Sequence, residues 1–182
     1  MDKVKRIGEK LVYKGHIIDL YEDYLLTPDN NKLSYDLVKC KGGASICPID
    51  SEGNVYLVKQ YRNSVDDEVY EIPAGCYDYK GEPGEICAAR ELEEEIGMKA
   101  GNLEYFTNIV TAIGVCDERS KLYFATDLIK GEQNLDPEEY IHIYKFTIEE
   151  AIDMIFDGTI IDAKTIVAIL GYKEWMKRKG NN

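Results

Sequence analysis

Along residues 9–26 apolar and polar positions alternate loosely, and the stretch is rich in Val, Ile, Leu and Tyr. Residues 9–26 therefore read as two strands turning at Lys14-Gly15. Pro28-Asp29-Asn30-Asn31 is a turn, after which residues 32–39 return as a third strand. These strands predict a small N-terminal antiparallel sheet. Lys41-Gly42-Gly43 punctuates the pattern and divides the chain into an N-terminal strand region, 1–43, and a main domain, 44–182. In the main domain, residues 44–49 and 54–61 flank Asp50-Ser51-Glu52-Gly53 and read together as a hairpin. Residues 103–111 and 121–125 read as strands joined by a loop over 112–120, and 141–146 as the last strand. Thr147 caps a helix through Phe156, with Glu150 at capping-box spacing, and an amphipathic helix follows over about 162–177. Gly180-Asn181-Asn182 is expected to fray.

A helical period also takes over in mid-chain. Glu82-Pro83 marks a helix start and Gly97 a stop, enclosing about four turns. At 100° per residue Ile86, Ala89, Leu92 and Ile96 gather on one side, while Glu91, Glu94 and Glu95 gather on roughly the opposite one. This predicts an apolar back and an acidic front, although Glu93 falls toward the apolar side by the same count. The three carboxylates repel by roughly 0.2–0.5 kcal/mol per pair, and only Arg90 and Lys99 are near enough in sequence to offset them. A cation is therefore expected. An all-oxygen cluster without histidine or cysteine suits Mg²⁺ or Mn²⁺ better than zinc.

Composition narrows the classes. A chain of 182 residues, 45% hydrophobic and 31% charged, reads as one soluble domain with a small appendage. Its net charge of −12 and lack of Lys/Arg clusters argue against a nucleic-acid partner. Five cysteines without a C-x-x-C pair indicate neither a disulfide framework nor a zinc site, so reduced, mostly packed thiols are expected. The first ten residues lack an apolar signal region and no run approaches the roughly 18 apolar residues of a membrane span. A cytoplasmic location without membrane partners follows as an expectation.

Residues 75–98 resemble the Nudix box, G-x5-E-x7-R-E-U-x-E-E-x-G-U with U a bulky apolar residue. Glu82, Arg90, Glu91, Leu92, Glu94, Glu95, Gly97 and Met98 all fall in register. Six residues rather than five separate Gly75 from Glu82, which predicts a bulged loop before the helix. The Glu71-Ile72-Pro73-Ala74-Gly75 lead-in, the N-terminal strands and the C-terminal helix are similar to the ADP-ribose pyrophosphatase branch of the Nudix hydrolases. The resemblance implies an α/β fold: the Nudix α/β/α sandwich with a mixed sheet, plus the small N-terminal antiparallel sheet.

It also implies metal-dependent hydrolysis of a nucleoside diphosphate linked to another moiety, with ADP-ribose split to AMP and ribose 5-phosphate and Mg²⁺ (or Mn²⁺) as cofactor. A UDP- or GDP-sugar pyrophosphatase is the alternative enzyme. A non-catalytic nucleotide sensor is disfavoured by the intact Glu91, Glu94 and Glu95. By the same resemblance the metal ligands are Glu91, Glu95, Glu94 and the backbone carbonyl of Ala74, and Arg90 holds the loop on the helix through a carboxylate such as Glu82. Arg62, after Gln60-Tyr61, binds the diphosphate, and Glu71 is placed with it at the substrate. The loop over 112–118 is similar to the branch's S-P-G-x-x-x-E loop, which makes Glu118 the catalytic base or a further ligand, with Asp117 as the fallback. Ile113 stands where the branch has proline, a marker of ADP-ribose preference. Tyr21 and Tyr24 are candidates for stacking on adenine across a strand-swapped homodimer. Cys116, His16 and His142 are read as non-catalytic.

Overall fold

In a computed structural model of the chain, described for residues 3–180, the fold divides into two compact units. One is drawn from Met1–Gly42 and Val110–Arg119, the other from Gly43–Ile109 and Ser120–Asn182. The first holds β1 (Lys5–Lys14), β2 (Asp19–Leu26) and β3 (Lys32–Lys39), antiparallel in the order β1-β2-β3. The first turn closes with the Gly15 N–H on Ile18 O at 2.9 Å, and the second with the Thr27 N–H on Asn31 O at 2.9 Å. All ten residues of β1 are exposed. The Thr111–Glu118 loop joins this unit at the end of β3, where the Val38 N–H donates to Val115 O at 2.8 Å and the Asp117 N–H to Val38 O at 3.1 Å.

The second unit is the α/β body. Its strands are β4 (Gly43–Pro48), β5 (Asn54–Arg62), β6 (Asp67–Glu71), β7 (Ala74–Cys76), β8 (Met98–Val110), β9 (Arg119–Lys130) and β10 (His142–Thr147). Its helices are α1 (Gly84–Ile96), α2 (Ile148–Phe156) and α3 (Ala163–Gly180). The expected hairpin between β4 and β5 does not form. β4 pairs in parallel with β9 and antiparallel with β7, whereas β5 pairs with β6 and β10. Every residue of β4 is buried, as a central strand of a mixed sheet requires. The chain leaves it through an Asp50 turn and pairs with β5 there through an isolated Ile49–Val55 bridge. The hairpin in this region is instead β5–β6.

Alternation along β4 and β9 builds two cores. Cys47, Leu122 and Phe124 share one cluster with Ile148 of α2 and Ile169 of α3, while Ala44, Ile46 and Tyr123 share the other with Leu92 and Ile96 of α1. The sheet thus lies between α1 on one face and α2 with α3 on the other, the expected sandwich. The capping box of α2 forms between Thr147 and Glu150. α3 continues to Gly180, and Asn181-Asn182 lie outside the described residues. Among the described residues no helix is long and apolar enough to cross a membrane.

Candidate active site

The helix α1 ends as its sequence indicates: Gly97 takes the left-handed conformation at φ 65° and its N–H reaches Glu93 O and Leu92 O. Its buried face differs from the expected one. Gly84, Cys87, Ala88, Glu91, Leu92, Glu95 and Ile96 turn inward, while Ile86 is 53% exposed and Ala89 is exposed. Glu91 and Glu95 therefore sit on the packed face, only 7% and 3% exposed, and not on a solvated front. Glu93 pairs with Lys99 at 3.0 Å.

Burial governs the chemistry of these two carboxyls. Desolvation pushes Glu91 up to about 7 against the pull of Arg90, with Glu94 and Glu139 adding repulsion. Glu95 is pushed up to about 9 by burial first and by the charges of Glu91 and Glu139 next. The Ala74 N–H and the charge of Arg62 pull Glu95 down only in part. Its Oε2 is buried without a hydrogen-bond partner. Gly75 on β7 abuts Glu91 so closely that a Cβ there would lie 2.0 Å from Glu91 Oε1, so this glycine is required by close approach.

Arg90 gathers the site. Its Nη1 donates to Glu91 Oε1 at 2.7 Å and Glu94 Oε2 at 2.9 Å, and its Nη2 to Cys76 O at 3.0 Å. Nε faces Asp78 at 3.1 Å and Glu82 at 3.7 Å. The expected tie to Glu82 is thus the longest of its ion pairs. Glu82 acts on the loop itself, accepting the Asp78 N–H at 2.8 Å. Ala74, Gly75, Cys76, Asp78, Arg90, Glu91, Glu94, Asn134, Asp136 and Glu139 line a cavity of about 200 Å³.

The donor types suit a hard divalent cation: Glu91, Glu94 and Glu139 line the cavity with Ala74, Glu95 Oε2 is buried without a partner, and the Arg90 guanidinium offsets part of the charge. Among the described residues no three potential ligands are drawn together tightly enough to clasp an ion as they stand. The Arg90 guanidinium bridges Glu91 and Glu94 in that space.

Beside this cavity lies a second charged cluster. Arg62, at the end of β5, turns its fork onto Glu71 at the end of β6, Nε to Oε1 at 2.5 Å and Nη2 to Oε2 at 3.1 Å. Glu71 is buried and also takes the Lys164 ammonium, which in turn donates to Asp162 Oδ1 at 2.8 Å. Asp162 caps α3 through the Thr165 N–H at 3.0 Å, and Thr165 Oγ1 accepts the Ile72 N–H at 2.8 Å. Burial opposes ionisation of Glu71, but Arg62 and Lys164 outweigh it and hold its carboxyl below the ordinary value.

In the first unit Glu118 accepts the Thr111 hydroxyl at 2.5 Å, and the Asp117 carboxylate accepts the Cys40 N–H at 2.9 Å. Tyr21 and Tyr24 are three apart on β2 and so lie on opposite faces. Lys39 Nζ sits 4.1 Å from the Tyr21 ring, and the Tyr24 hydroxyl donates to Glu22 at 2.7 Å.

Sequence reasoning passed over Asp162, Lys164 and Thr165, although an Asp three residues before a Thr at the start of a helical run is a capping signal. It also passed over Asn134, Asp136 and Glu139. Their loop is fastened to the end of α1, where the Asn134 N–H donates to Glu94 O at 3.0 Å and the Gln133 amide to Glu95 O at 2.7 Å.

Residues 41–168 match the NUDIX domain, and the chain belongs to that family. Nudix hydrolases generally use divalent metals. The chain is 33% identical to an ADP-ribose pyrophosphatase of Bacillus subtilis strain 168 over 91% of this chain and 90% of that one. It is 32% identical to a methanol dehydrogenase activator of Bacillus methanolicus over 96% of each. The crystal structure of an ADP compounds hydrolase superposes with a TM-score of 0.85 over 100% of this chain and 98% of that one, at 18% identity.

Proposed function

We propose that the protein hydrolyses the diphosphate bond of ADP-ribose to AMP and ribose 5-phosphate with Mg²⁺ or Mn²⁺ bound beside α1. The observation that carries this reading is the pair of buried carboxylates, Glu91 and Glu95, on the matched helix, one with an oxygen left unpartnered. Glu91, Glu94, Glu95 and the Ala74 carbonyl would hold the metal, which when bound neutralises phosphate oxygens and polarises a water. Arg90 keeps the loop over 76–82 on the helix and shields the carboxylates from one another. Arg62, oriented by Glu71, offers its remaining donors to the substrate diphosphate. Glu118 is the proposed base, and Glu139, in the cavity wall, is a second carboxylate able to accept a proton there. Tyr21 or Tyr24 stacks on the adenine. The buried thiols of Cys47 and Cys87 suit a cytoplasmic setting.

Purified protein with Mg²⁺ is expected to turn over ADP-ribose at least tenfold faster, by kcat/KM, than UDP-glucose or GDP-mannose. Preference for a nucleotide sugar would replace the substrate while leaving the reaction class in place.

The N-terminal strand region is proposed as the dimerisation element. Isolated exposure of apolar side chains is ordinary, but β1 is an edge strand with Ile7, Leu11, Val12 and Tyr13 all exposed. Light scattering is expected to give a mass near twice 20.7 kDa, and Leu11→Lys to shift it toward one chain. A monomeric wild type would remove the dimer.

A further inference from the structure

Two thiols in the first unit meet from positions far apart in sequence. Cys40 follows the last residue of β3, Cys116 lies in the loop after β8, and their Sγ atoms are 3.5 Å apart. Neither is a chance contact of mobile side chains, because the backbones that carry them are joined. Val38 and Cys116 form a parallel bridge, the Val38 N–H donates to Val115 O at 2.8 Å, and the Cys40 N–H donates to the Asp117 carboxylate at 2.9 Å. The Cys116 N–H in turn closes a turn on Ala112 O at 2.9 Å. A disulfide needs its sulfurs at about 2.05 Å, so closure asks for about 1.5 Å of approach, within reach of side-chain rotation on a paired backbone.

We propose that Cys40 and Cys116 are a disulfide-forming modification site, oxidised by a low-molecular-weight disulfide, that covalently fastens the Glu118 loop to the end of β3. One cysteine loses its proton to water and its sulfur attacks the small disulfide, forming a mixed disulfide and expelling one small thiolate. The second cysteine, likewise deprotonated, attacks the protein-side sulfur, forms the Cys40–Cys116 bond and expels the other small thiolate. Two electrons leave the chain, and the small disulfide becomes two thiols. Both thiols are half-buried, and burial with the nearby Cys116, Glu118 and Asp117 pushes Cys40 up to about 12. Little thiolate is present at neutral pH, so exchange at this pair is slow and the oxidation takes sustained exposure to the disulfide.

The bond acts where the loop meets its proposed task. Glu118 is two residues from Cys116 and donates its backbone N–H to the Cys116 sulfur at 3.4 Å. The cross-link is independent of any assignment of activity, whereas its effect on turnover rests on the role proposed for Glu118.

The test uses the full chain with excess glutathione disulfide, followed by peptide mapping without reductant. A Cys40 peptide joined to a Cys116 peptide is expected, lighter by two hydrogens than the sum and split by dithiothreitol. The melting temperature is expected to rise by roughly 5 °C or more, reversibly. Cys116→Ser must lose the linked peptide and the rise while keeping its activity. Recovery of both cysteines as thiols or as glutathione adducts, with no linked peptide, overturns the proposal. Turnover of ADP-ribose in Mg²⁺ is expected to fall about tenfold on oxidation and to recover with reductant, as for a loop that must move during catalysis. A linked peptide with unchanged turnover would leave the site standing and overturn the effect on turnover assigned to the bond. An equal loss in Cys116→Ser would place the inhibitory oxidation elsewhere and overturn the effect assigned to this pair.

Discussion

Replacing Glu95 by glutamine is expected to cut turnover by about two to three orders of magnitude and, in the absence of metal, to make the protein harder to unfold. Losing one ligand of a charge-stabilising site costs on the order of 100- to 1000-fold in kcat. The stability effect runs the other way. Glu95 carries its proton in the fold up to about pH 9, whereas the unfolded chain releases it near the ordinary 4.5. The folded state binds more protons between those limits, so stability falls as pH rises from 4.5 toward 9. At pH 7 the penalty amounts to at most about 3.5 kcal/mol, since each pH unit is worth about 1.4 kcal/mol. Glutamine has nothing to titrate and keeps the shape. In chelator the wild-type melting temperature is expected to decline from pH 5 to 8.5, with the variant flatter and higher at the alkaline end. Adding millimolar Mg²⁺ should lift the wild type more than the variant, because the ion binds only the folded, ionised site. A variant that melts below the wild type in chelator at pH 8 would show that Glu95 is not held against its charge.

The same buried position separates what was legible in the sequence from what was not. Glu91 and Glu95 are singled out by the resemblance to the box, which is readable because it lies within one element and its loop. Their burial was not legible. A helical wheel ranks Glu outward, and here Gly84, Cys87 and Ala88 let the helix approach the sheet closely while Ile86 is left exposed. Strand positions in the first unit were readable because turns at 15–18 and 27–31 have strong turn residues. The partner of β4 was not: alternation assigns faces but not neighbours, and the parallel pairing with β9 joins residues more than seventy apart.

Long range also explains the residues that were passed over. Glu139 in sequence is one acid among several in a polar stretch, and its loop is brought to the cavity by the hydrogen bonds of Gln133 and Asn134 to the end of α1 and by Leu135 and Ile141 packing in the core beside Leu92 and Ile96. Lys164 looks like an ordinary charge on an amphipathic helix. Its partner Glu71 lies 93 residues earlier, and no local pattern pairs them.

That pairing underlies the second large effect. Glu71→Ala is expected to destabilise the protein by about 3–5 kcal/mol, because it strands Arg62 and Lys164 with Asp162 as the remaining carboxylate close to Lys164. The loss corresponds to a fall in melting temperature of roughly 10 °C for a chain of this length. Burial makes the difference: exposed pairs are worth at most about 1 kcal/mol, but Glu71 is 3% exposed and the Lys164 side chain 16%, so the ammonium keeps Asp162 but has little water to replace Glu71. Acid should reproduce part of the effect in the wild type. The Glu71 carboxyl is depressed in the fold, so its contribution is fully present above the ordinary 4.5 and is lost as pH drops below it toward the folded value. Lys164 has the opposite window, its contribution holding below the ordinary 10.5 and fading as pH climbs through its raised value. Removing both partners together, Glu71→Gln with Lys164→Met, is expected to cost less than the sum of the single changes, since no unpaired ammonium is then buried. Urea unfolding of the four proteins at pH 7 measures this coupling. If Glu71→Ala unfolds within 1 kcal/mol of the wild type, the cluster is too well hydrated to orient Arg62, and the proposed hold on the substrate diphosphate loses its support.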